Sequence, residues 1–166
     1  MDGAAGGEAS ALGQSLDTRC ICVVVSQSHY VLRLADVQEV IGLRPLTRVF
    51  HAPEVIAGVT SLRGEVLPVL DLGLLLGGAS AGRGADARVV VARDRQRRRA
   101  GLLVDGLAGL REIPARGLAE LPDTLSPQVR AVGAGMIPVS PPCVVLDVER
   151  VLSQAARREG SGAAAW

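Results

Sequence analysis

Residues 56–72 read Ile-Ala-Gly-Val-Thr-Ser-Leu-Arg-Gly-Glu-Val-Leu-Pro-Val-Leu-Asp-Leu, and this stretch decides how the chain is interpreted. Two apolar runs, 55–62 and 65–70, flank Arg63-Gly64, so the pattern predicts a β-hairpin with a tight turn. Pro68 cannot donate a backbone hydrogen bond, which places its strand at an edge or at a break in pairing. The stretch therefore predicts two short strands that lead into Asp71.

Similar short runs of Val, Leu and Ile, bounded by Gly, Pro, Ser and Asp, occur along most of the chain. Such runs are typical of a protein built mainly from β-strands. A second hairpin turn is predicted at 26–29, where the sequence is Ser-Gln-Ser-His. The remaining predicted strands are Cys20–Val25, Tyr30–Leu34, Arg88–Ala92, Gly101–Val104, Ala131–Met136 and Cys143–Leu146.

Three aspartates are predicted to start short helices. Asp36 is followed three residues later by Glu39, the spacing of a capping box. Asp71 precedes 72–76 and a Gly-Gly stop, and Asp147 precedes 148–152. A carboxylate at a helix start accepts hydrogen bonds from unpaired amides. Capping is therefore the preferred interpretation of these residues, and a catalytic role is the alternative.

The chain also repeats itself weakly. Val69-Leu70-Asp71-Leu72 followed by two apolar residues recurs, with the same internal spacing, from Val145 to Leu152. The segment from Leu76 to Arg88 has the Gly, Ala and Ser content of a linker. These features predict two small β-barrels of similar plan, at about 19–78 and 86–152. A disordered segment is expected at 1–18 and a flexible tail at 153–166.

Composition excludes several classes of protein. The 166 residues carry 18 basic and 17 acidic side chains, which gives no overall charge to attract nucleic acid or a membrane surface. No apolar run approaches the roughly 18 residues that cross a bilayer, and the N-terminus lacks the features of an export signal. Three cysteines without such a signal indicate a reducing cytosol. Cys20 and Cys22 share one face of a strand and are interpreted as buried apolar residues.

No arrangement of residues indicates an enzyme. His29 and His51 lack the spacing of metal ligands, and no nucleophile elbow, phosphate-binding loop or dinucleotide motif is found in the required context. The sequence thus predicts no catalytic residues, no metal site and no cofactor.

An arginine-rich segment stands between two predicted strands. Arg93–Arg99 has five arginines in seven positions, so the sequence predicts a charged hairpin tip. A solvated hairpin is preferred, an acidic protein partner comes second, and nucleic acid third because aromatic residues for base stacking are lacking.

One possible ion pair stands out. Glu39 lies in the predicted first helix, where Val37, Val40 and Ile41 form an apolar stripe. Arg63 lies at a tight turn that would project its guanidinium in a fixed direction, and a carboxylate such as Glu39 is a natural partner. An ordinary surface ion pair is the alternative.

Four blocks of this sequence resemble the conserved motifs of the CheW-like family of chemotaxis coupling proteins. The resemblance rests on the Val-x-Glu-Val-Ile segment at 37–41, on Leu-Arg-Gly-x-Val-x-Pro-Val at 62–69, and on two later blocks at 101–105 and 144–148. It covers 18–152, nearly all of the predicted folded part.

The resemblance implies two intertwined five-stranded, SH3-like β-barrels with a few short helices. It also implies a non-enzymatic cytoplasmic adaptor, recruited to receptor clusters, that couples methyl-accepting chemoreceptors to a chemotaxis histidine kinase. By motif position, the receptor-facing residues would be Glu39, Arg63, Gly58 and Gly64. The kinase-facing residues would be Val31, Leu34, Val37 and Val40.

Departures from the family pattern suggest an alternative function. Ser61, where the family usually has Asn, is a modest change beside Arg63. Two larger changes fall in the second half of the chain: the segment 137–142 carries three prolines before the last predicted strand, and the arginine-rich hairpin adds charge. Prolines remove backbone donors and stiffen a sheet edge. The alternative is a diverged protein that binds receptors but does not couple or activate the kinase.

Overall fold

The computed structural model describes residues 18–82, 84–138 and 140–159. The described part contains ten strands: β1 (Arg19–Val25), β2 (Ser28–Arg33), β3 (Val37–Gly42), β4 (Ile56–Leu62), β5 (Glu65–Asp71), β6 (Arg88–Arg93), β7 (Arg99–Val104), β8 (Gly106–Glu112), β9 (Gly133–Ile137) and β10 (Cys143–Leu146). It also contains a 3₁₀ turn at Leu34–Asp36 and the helices α1 (Leu72–Leu75), α2 (Pro127–Val132) and α3 (Val148–Glu159).

The strands form two five-stranded sheets of the same plan. Sheet A has the order β8-β1-β2-β10-β9, and sheet B has the order β3-β6-β7-β5-β4. In each sheet the second strand of a hairpin, β1-β2 or β6-β7, also pairs in parallel with a strand from elsewhere in the chain, β10 in sheet A and β5 in sheet B. The prediction of a mainly β fold with two five-stranded units is therefore confirmed.

The boundaries predicted for the two units need correction. Sheet B is built from the continuous segment 37–104, whereas sheet A combines β1 and β2 with β8, β9 and β10 from the other end of the chain. The predicted division at 19–78 and 86–152 therefore separates strands that pair with one another. The supposed linker 77–87 instead joins two strands of the same sheet, and its Ala81 and Ala87 are buried.

Many strands are apolar on both faces because both faces are buried. In β1, Cys20 and Cys22 belong to a cluster within sheet A, whereas Val23 and Val25 belong to the large core shared by the two sheets. In β6, Val90 likewise faces the shared core. Such strands read as continuous apolar runs rather than as an alternation of apolar and polar residues.

The cysteines are buried as predicted. Cys20 and Cys22 are at most 1% exposed and lie in one cluster with Cys143. Burial raises the pKa of Cys20 and of Cys22 to about 11, so both remain protonated thiols at neutral pH.

Both predicted hairpin turns form. Ser26 and Gln27 between β1 and β2, and Arg63 and Gly64 between β4 and β5, all have positive φ angles, as a two-residue type I′ turn requires. Pro68 fits as expected, since the pairing of β5 with β7 begins at Val69, the next residue.

Two of the three predicted aspartate caps are confirmed. An Asp71 carboxylate oxygen accepts a hydrogen bond from the Leu74 amide of α1, at 3.1 Å. Asp147 accepts from the Arg150 amide of α3, also at 3.1 Å.

The prediction of a helix after Asp36 was wrong. Asp36 ends a short 3₁₀ turn and is followed by strand β3, which pairs antiparallel with β6. The β-branched residues Val37, Val40 and Ile41 suit a strand that has an available partner.

Other element boundaries also differ from the prediction. Ala131 and Val132 belong to helix α2 and not to the strand that follows, and strand β8 was missed. Helix α3 continues to Glu159 with Ala155 fully buried, so the first part of the supposed flexible tail is folded. The remainder of that tail and residues 1–17 lie outside the described residues. Within the described ranges, no helix combines the length and apolar character needed to cross a membrane.

Candidate functional site

The candidate site is built on the turn between β4 and β5. Arg63 occupies the first central position of this turn with φ +52°, and Gly64 occupies the second with φ +81°. The hairpin register Leu62↔Glu65 closes the turn on both sides. The arginine side chain consequently projects from a fixed backbone and is 79% exposed.

Glu39 reaches this turn from strand β3. β3 and β4 are the two outermost strands of sheet B in its pairing order, yet Arg63 Nη2 lies 3.2 Å from Glu39 Oε2. The Glu39 side chain is 27% exposed, so the carboxylate is the more enclosed partner. The predicted ion pair is therefore present, although Glu39 lies on a strand and not on the predicted helix.

The surroundings of the pair combine charged and apolar groups. The Arg44 guanidinium donates to the Ser61 carbonyl oxygen at 3.3 Å, which ties the start of the β3–β4 loop to strand β4. Glu65, next to Gly64, forms an ion pair with Arg99 of β7. Val66 is 72% exposed and offers an apolar surface two residues after the turn.

The two glycines predicted for this site have different structural roles. Gly64 is needed at the turn because its positive φ is disfavoured for other residues. Gly58 has φ +152°, and a Cβ atom there would lie 2.7 Å from the Thr47 carbonyl oxygen. Gly58 therefore allows the β3–β4 loop to pack closely against β4, at the paired positions Thr47 and Val59.

The four residues predicted to face the kinase are divided between the two sheets. Val31 lies on β2 in sheet A and is fully buried in the cysteine cluster. Val37 and Val40 lie on β3 in sheet B, where they are partly buried and pack against the shared core. Leu34 is partly buried in the 3₁₀ turn between β2 and β3. Val31 therefore has no surface to offer a partner in this fold.

The arginine-rich segment forms the predicted hairpin tip, between β6 and β7. Arg98 is not free, because its Nε bonds Asp94 Oδ2 at 2.7 Å and its Nη2 bonds Ser153 Oγ of α3 at 3.0 Å. Asp94 is buried beneath this contact. The exposed positions of the tip are Arg95, Gln96 and Arg97.

The Asp71 carboxylate, for which a catalytic role was the alternative, is used in local hydrogen bonds. Asp71 is only 3% exposed, but its oxygens accept from the Leu74 and Ala81 amides and from the Ser80 hydroxyl. No group of three or more His, Cys, Asp or Glu residues in this part could hold a metal ion. The site offers a rigid charged and apolar surface, which suits the binding of another protein.

Sequence reasoning missed one supporting residue, Asp105. Its two carboxylate oxygens accept from the amides of Ser26 and Gly82, both at 2.8 Å, and so join the first hairpin to the 77–87 segment. Its position directly after an apolar strand, like that of Asp71 and Asp147, was the available signal.

Comparison with known proteins gives one consistent result. The model of the CheW-like domain matches residues 19–156. A probable chemotaxis protein CheW from Rhizobium etli is 28% identical over 139 residues, covering 83% of this chain and 89% of the relative. The chemotaxis protein CheW of Rhizobium meliloti is 30% identical over 115 residues, covering 69% and 74%.

A solved structure shares the fold. The scaffolding protein TtCheW of Thermoanaerobacter tengcongensis superposes with a TM-score of 0.70 at 24% identity, covering 79% of this chain and 89% of that one.

Proposed function

The chain belongs to the CheW-like domain family, and from that premise we propose that it is a non-enzymatic adaptor that couples methyl-accepting chemoreceptors to a chemotaxis histidine kinase. It would act in the cytoplasm at receptor clusters, through simultaneous non-covalent contacts with both partners. Its influence on the kinase would be a shift between existing conformations, for which a coupling free energy of about 1–3 kcal/mol suffices.

The observation that carries the receptor-binding part of this proposal is the presentation of Arg63. A left-handed conformation costs an L-residue such as arginine about 1–2 kcal/mol, and an exposed ion pair contributes about 0–1 kcal/mol. The stabilisation from the Arg63–Glu39 ion pair is therefore at most equal to the conformational strain energy of Arg63. Strained residues of this kind are typical of functional sites.

The arrangement suits recognition of a carboxylate or a backbone carbonyl on the receptor. The guanidinium has several donors in a fixed plane, and Glu39 uses only part of that capacity. Glu39 would hold the arginine in one orientation, so that little side-chain entropy is lost when the receptor binds.

The kinase-facing surface is proposed for the partly exposed members of the predicted set. These are Leu34, Val37 and Val40, all in or after the segment that connects the two sheets. The contribution proposed for Val31 becomes indirect, through the packing of sheet A.

The proposal is tested by calorimetric titration of the protein into a receptor cytoplasmic fragment and, separately, into the kinase regulatory domain. Arg63→Ala is expected to weaken receptor binding about 10-fold or more, as loss of an interface arginine often does. Arg130→Ala is the matched control, because Arg130 also forms an exposed ion pair at 3.2 Å, with Asp123. Equal receptor affinities for the two variants would contradict the assigned site.

The kinase titration separates the two candidate functions. Binding to both partners supports the adaptor. Binding to the receptor alone supports the diverged protein, which the prolines at 138, 141 and 142 before β10 favour. Absence of binding to either partner would overturn both functions.

A further inference from the structure

Charged side chains gather at one end of sheet B, around the Arg63 turn. β5 and β7 pair in parallel, so the β4–β5 turn and the β6–β7 hairpin lie side by side at this end. The ion pairs Arg63–Glu39 and Arg99–Glu65 join β3, β5 and β7 to the same end. We call the charged residues found here the rim: Glu39, Arg63, Glu65, Arg93 and Arg99.

Arg93, the last residue of β6, faces the same side of sheet B as Glu39. Side chains alternate along a strand, so Arg93 projects to the face used by Val91, whereas Ala92 between them faces the shared core. Val91 is the cross-strand partner of Glu39. Glu39 is thus flanked by two arginines, by Arg63 from the β4–β5 turn and by Arg93 from the neighbouring strand.

The position of Arg93 is electrostatically unfavourable for the fold. The residue directly opposite it on β7 is Arg99, a second cation. Like charges at opposite positions of an antiparallel pair destabilise a sheet. Arg99 and Arg63 each have a glutamate partner, but Arg93 has no ion pair or side-chain hydrogen bond among the described residues. Stability of the sheet therefore does not explain an arginine at this position.

The rim has more positive than negative charge and lies above an apolar floor. It contains three arginines and two glutamates. The side chains beneath it are those of Leu62, Leu67 and Val91, which are at most 4% exposed. Charges beside such an apolar surface are screened less than charges in open water. The unpaired guanidinium of Arg93 therefore favours an anionic acceptor over a neutral one.

We propose that Arg93 is a second receptor-binding residue, and that Arg93 and Arg63 together bind one carboxylate side chain of the receptor at the rim. The carboxylate would accept hydrogen bonds from both guanidiniums, while Glu39 holds Arg63 beside it. This inference rests on the proposed function and makes it more specific, because a carboxylate rather than a backbone carbonyl becomes the recognised group.

The test is calorimetric titration of the full chain with the receptor cytoplasmic fragment at low and at high ionic strength. Arg93→Gln is expected to weaken binding about 10-fold and to make the affinity less dependent on salt, because one of the screened charges is removed. Arg93→Lys keeps the charge without the planar fork and is expected to weaken binding less. Arg116→Gln is the matched control, since Arg116 is exposed in the loop between β8 and α2.

Urea unfolding separates a lost contact from a damaged fold. Arg93→Gln removes the repulsion between Arg93 and Arg99, so the midpoint urea concentration is expected to rise. A lower midpoint would show that Arg93 stabilises sheet B, and the argument that its position serves binding would then fail.

A double-mutant cycle shows whether the two arginines bind the same group. If they share one carboxylate, Arg63→Ala combined with Arg93→Gln weakens receptor binding by less than the product of the two separate effects. If the separate effects simply multiply, the two arginines act independently and the shared carboxylate is wrong.

The outcomes separate this inference from the proposed function. If Arg93→Gln binds the receptor as tightly as the unaltered protein while Arg63→Ala binds weakly, the assignment of Arg93 is wrong and the receptor-binding function stands. If Arg93→Gln weakens only binding to the kinase domain, the assignment is also wrong. If the unaltered protein does not bind the receptor at all, both ideas fail together.

Discussion

Arg63 shows how a single residue can be placed against its own conformational preference. The two central positions of a type I′ turn need positive φ, and Asn-Gly is a favoured pair there. This chain has Gly64 at the second position but arginine at the first, with φ +52°. The side chain is mostly exposed, so burial does not compensate for the strain. Function at this position is therefore expected to oppose stability.

Arg63→Asn is predicted to stabilise the fold and to weaken receptor binding. Asparagine tolerates the left-handed region, so up to about 1 kcal/mol of strain is relieved after loss of the exposed ion pair is subtracted. In urea unfolding, the midpoint urea concentration is expected to rise while the dependence of the unfolding free energy on urea stays the same. Titration with the receptor fragment is expected to show a lower affinity. A lower urea midpoint would show that the Arg63–Glu39 ion pair stabilises the fold by more than the strain at Arg63 destabilises it.

The turn and the aspartate caps could be predicted from the sequence because their causes are local. Asp71 and Asp147 act on amides three residues away, and Arg63-Gly64 forms a turn from two residues. The ion pair could be proposed from the two residue types and the tight turn, but its contact could not be derived locally, since its partners are 24 residues apart and are joined by the folding of sheet B.

At the scale of secondary structure, β3 shows where local patterns fail. The segment after Asp36 has both a capping-box spacing and an apolar stripe of helical period. β-branched residues and a partner strand, β6, decide in favour of a strand. β8 was missed because its sequence, with two glycines and exposed leucines, has no strand pattern. It forms a strand because β1 offers an edge with which it can pair. In both elements the tertiary partner decides the structure.

Gly58→Ala is predicted to destabilise the protein by about 1–3 kcal/mol, the usual cost of overpacking. The new Cβ would lie 2.7 Å from the Thr47 carbonyl oxygen, and the β3–β4 loop would have to move away from β4. Gly117→Ala is the control, since Gly117 also has a positive φ, +83°, but no atom within 4 Å of the added Cβ.

Urea unfolding of the two glycine variants separates strain from collision. Both variants bear the cost of a positive φ, and only Gly58→Ala also has the close contact. Equal losses of stability would show that the loop adjusts freely, in which case Gly58 does not hold the loop in place.

At the scale of the whole molecule, the two sheets depend on each other. Sheet A needs strands from both ends of the chain, and the large core contains Val23 and Leu32 of sheet A together with Val90 and Leu102 of sheet B. The internal repeat predicted two units of similar plan, but it did not indicate which strands pair within each sheet. The pairing is determined by contacts between strands far apart in the sequence, such as β2 with β10.

Asp94→Asn is predicted to destabilise both sheets together, by about 2 kcal/mol, because it weakens hydrogen bonds to a charged group. Asp94 holds Arg98 of the β6–β7 hairpin, and Arg98 bonds Ser153 on α3, the helix that follows β10 of sheet A. Arg95→Ala, an exposed change in the same hairpin, is expected to alter stability by less than about 0.5 kcal/mol.

Hydrogen exchange under native conditions would measure amides of both sheets separately. Faster exchange confined to sheet B would show that the hairpin does not couple the sheets, whereas an equal increase in both follows if they unfold as one cooperative unit.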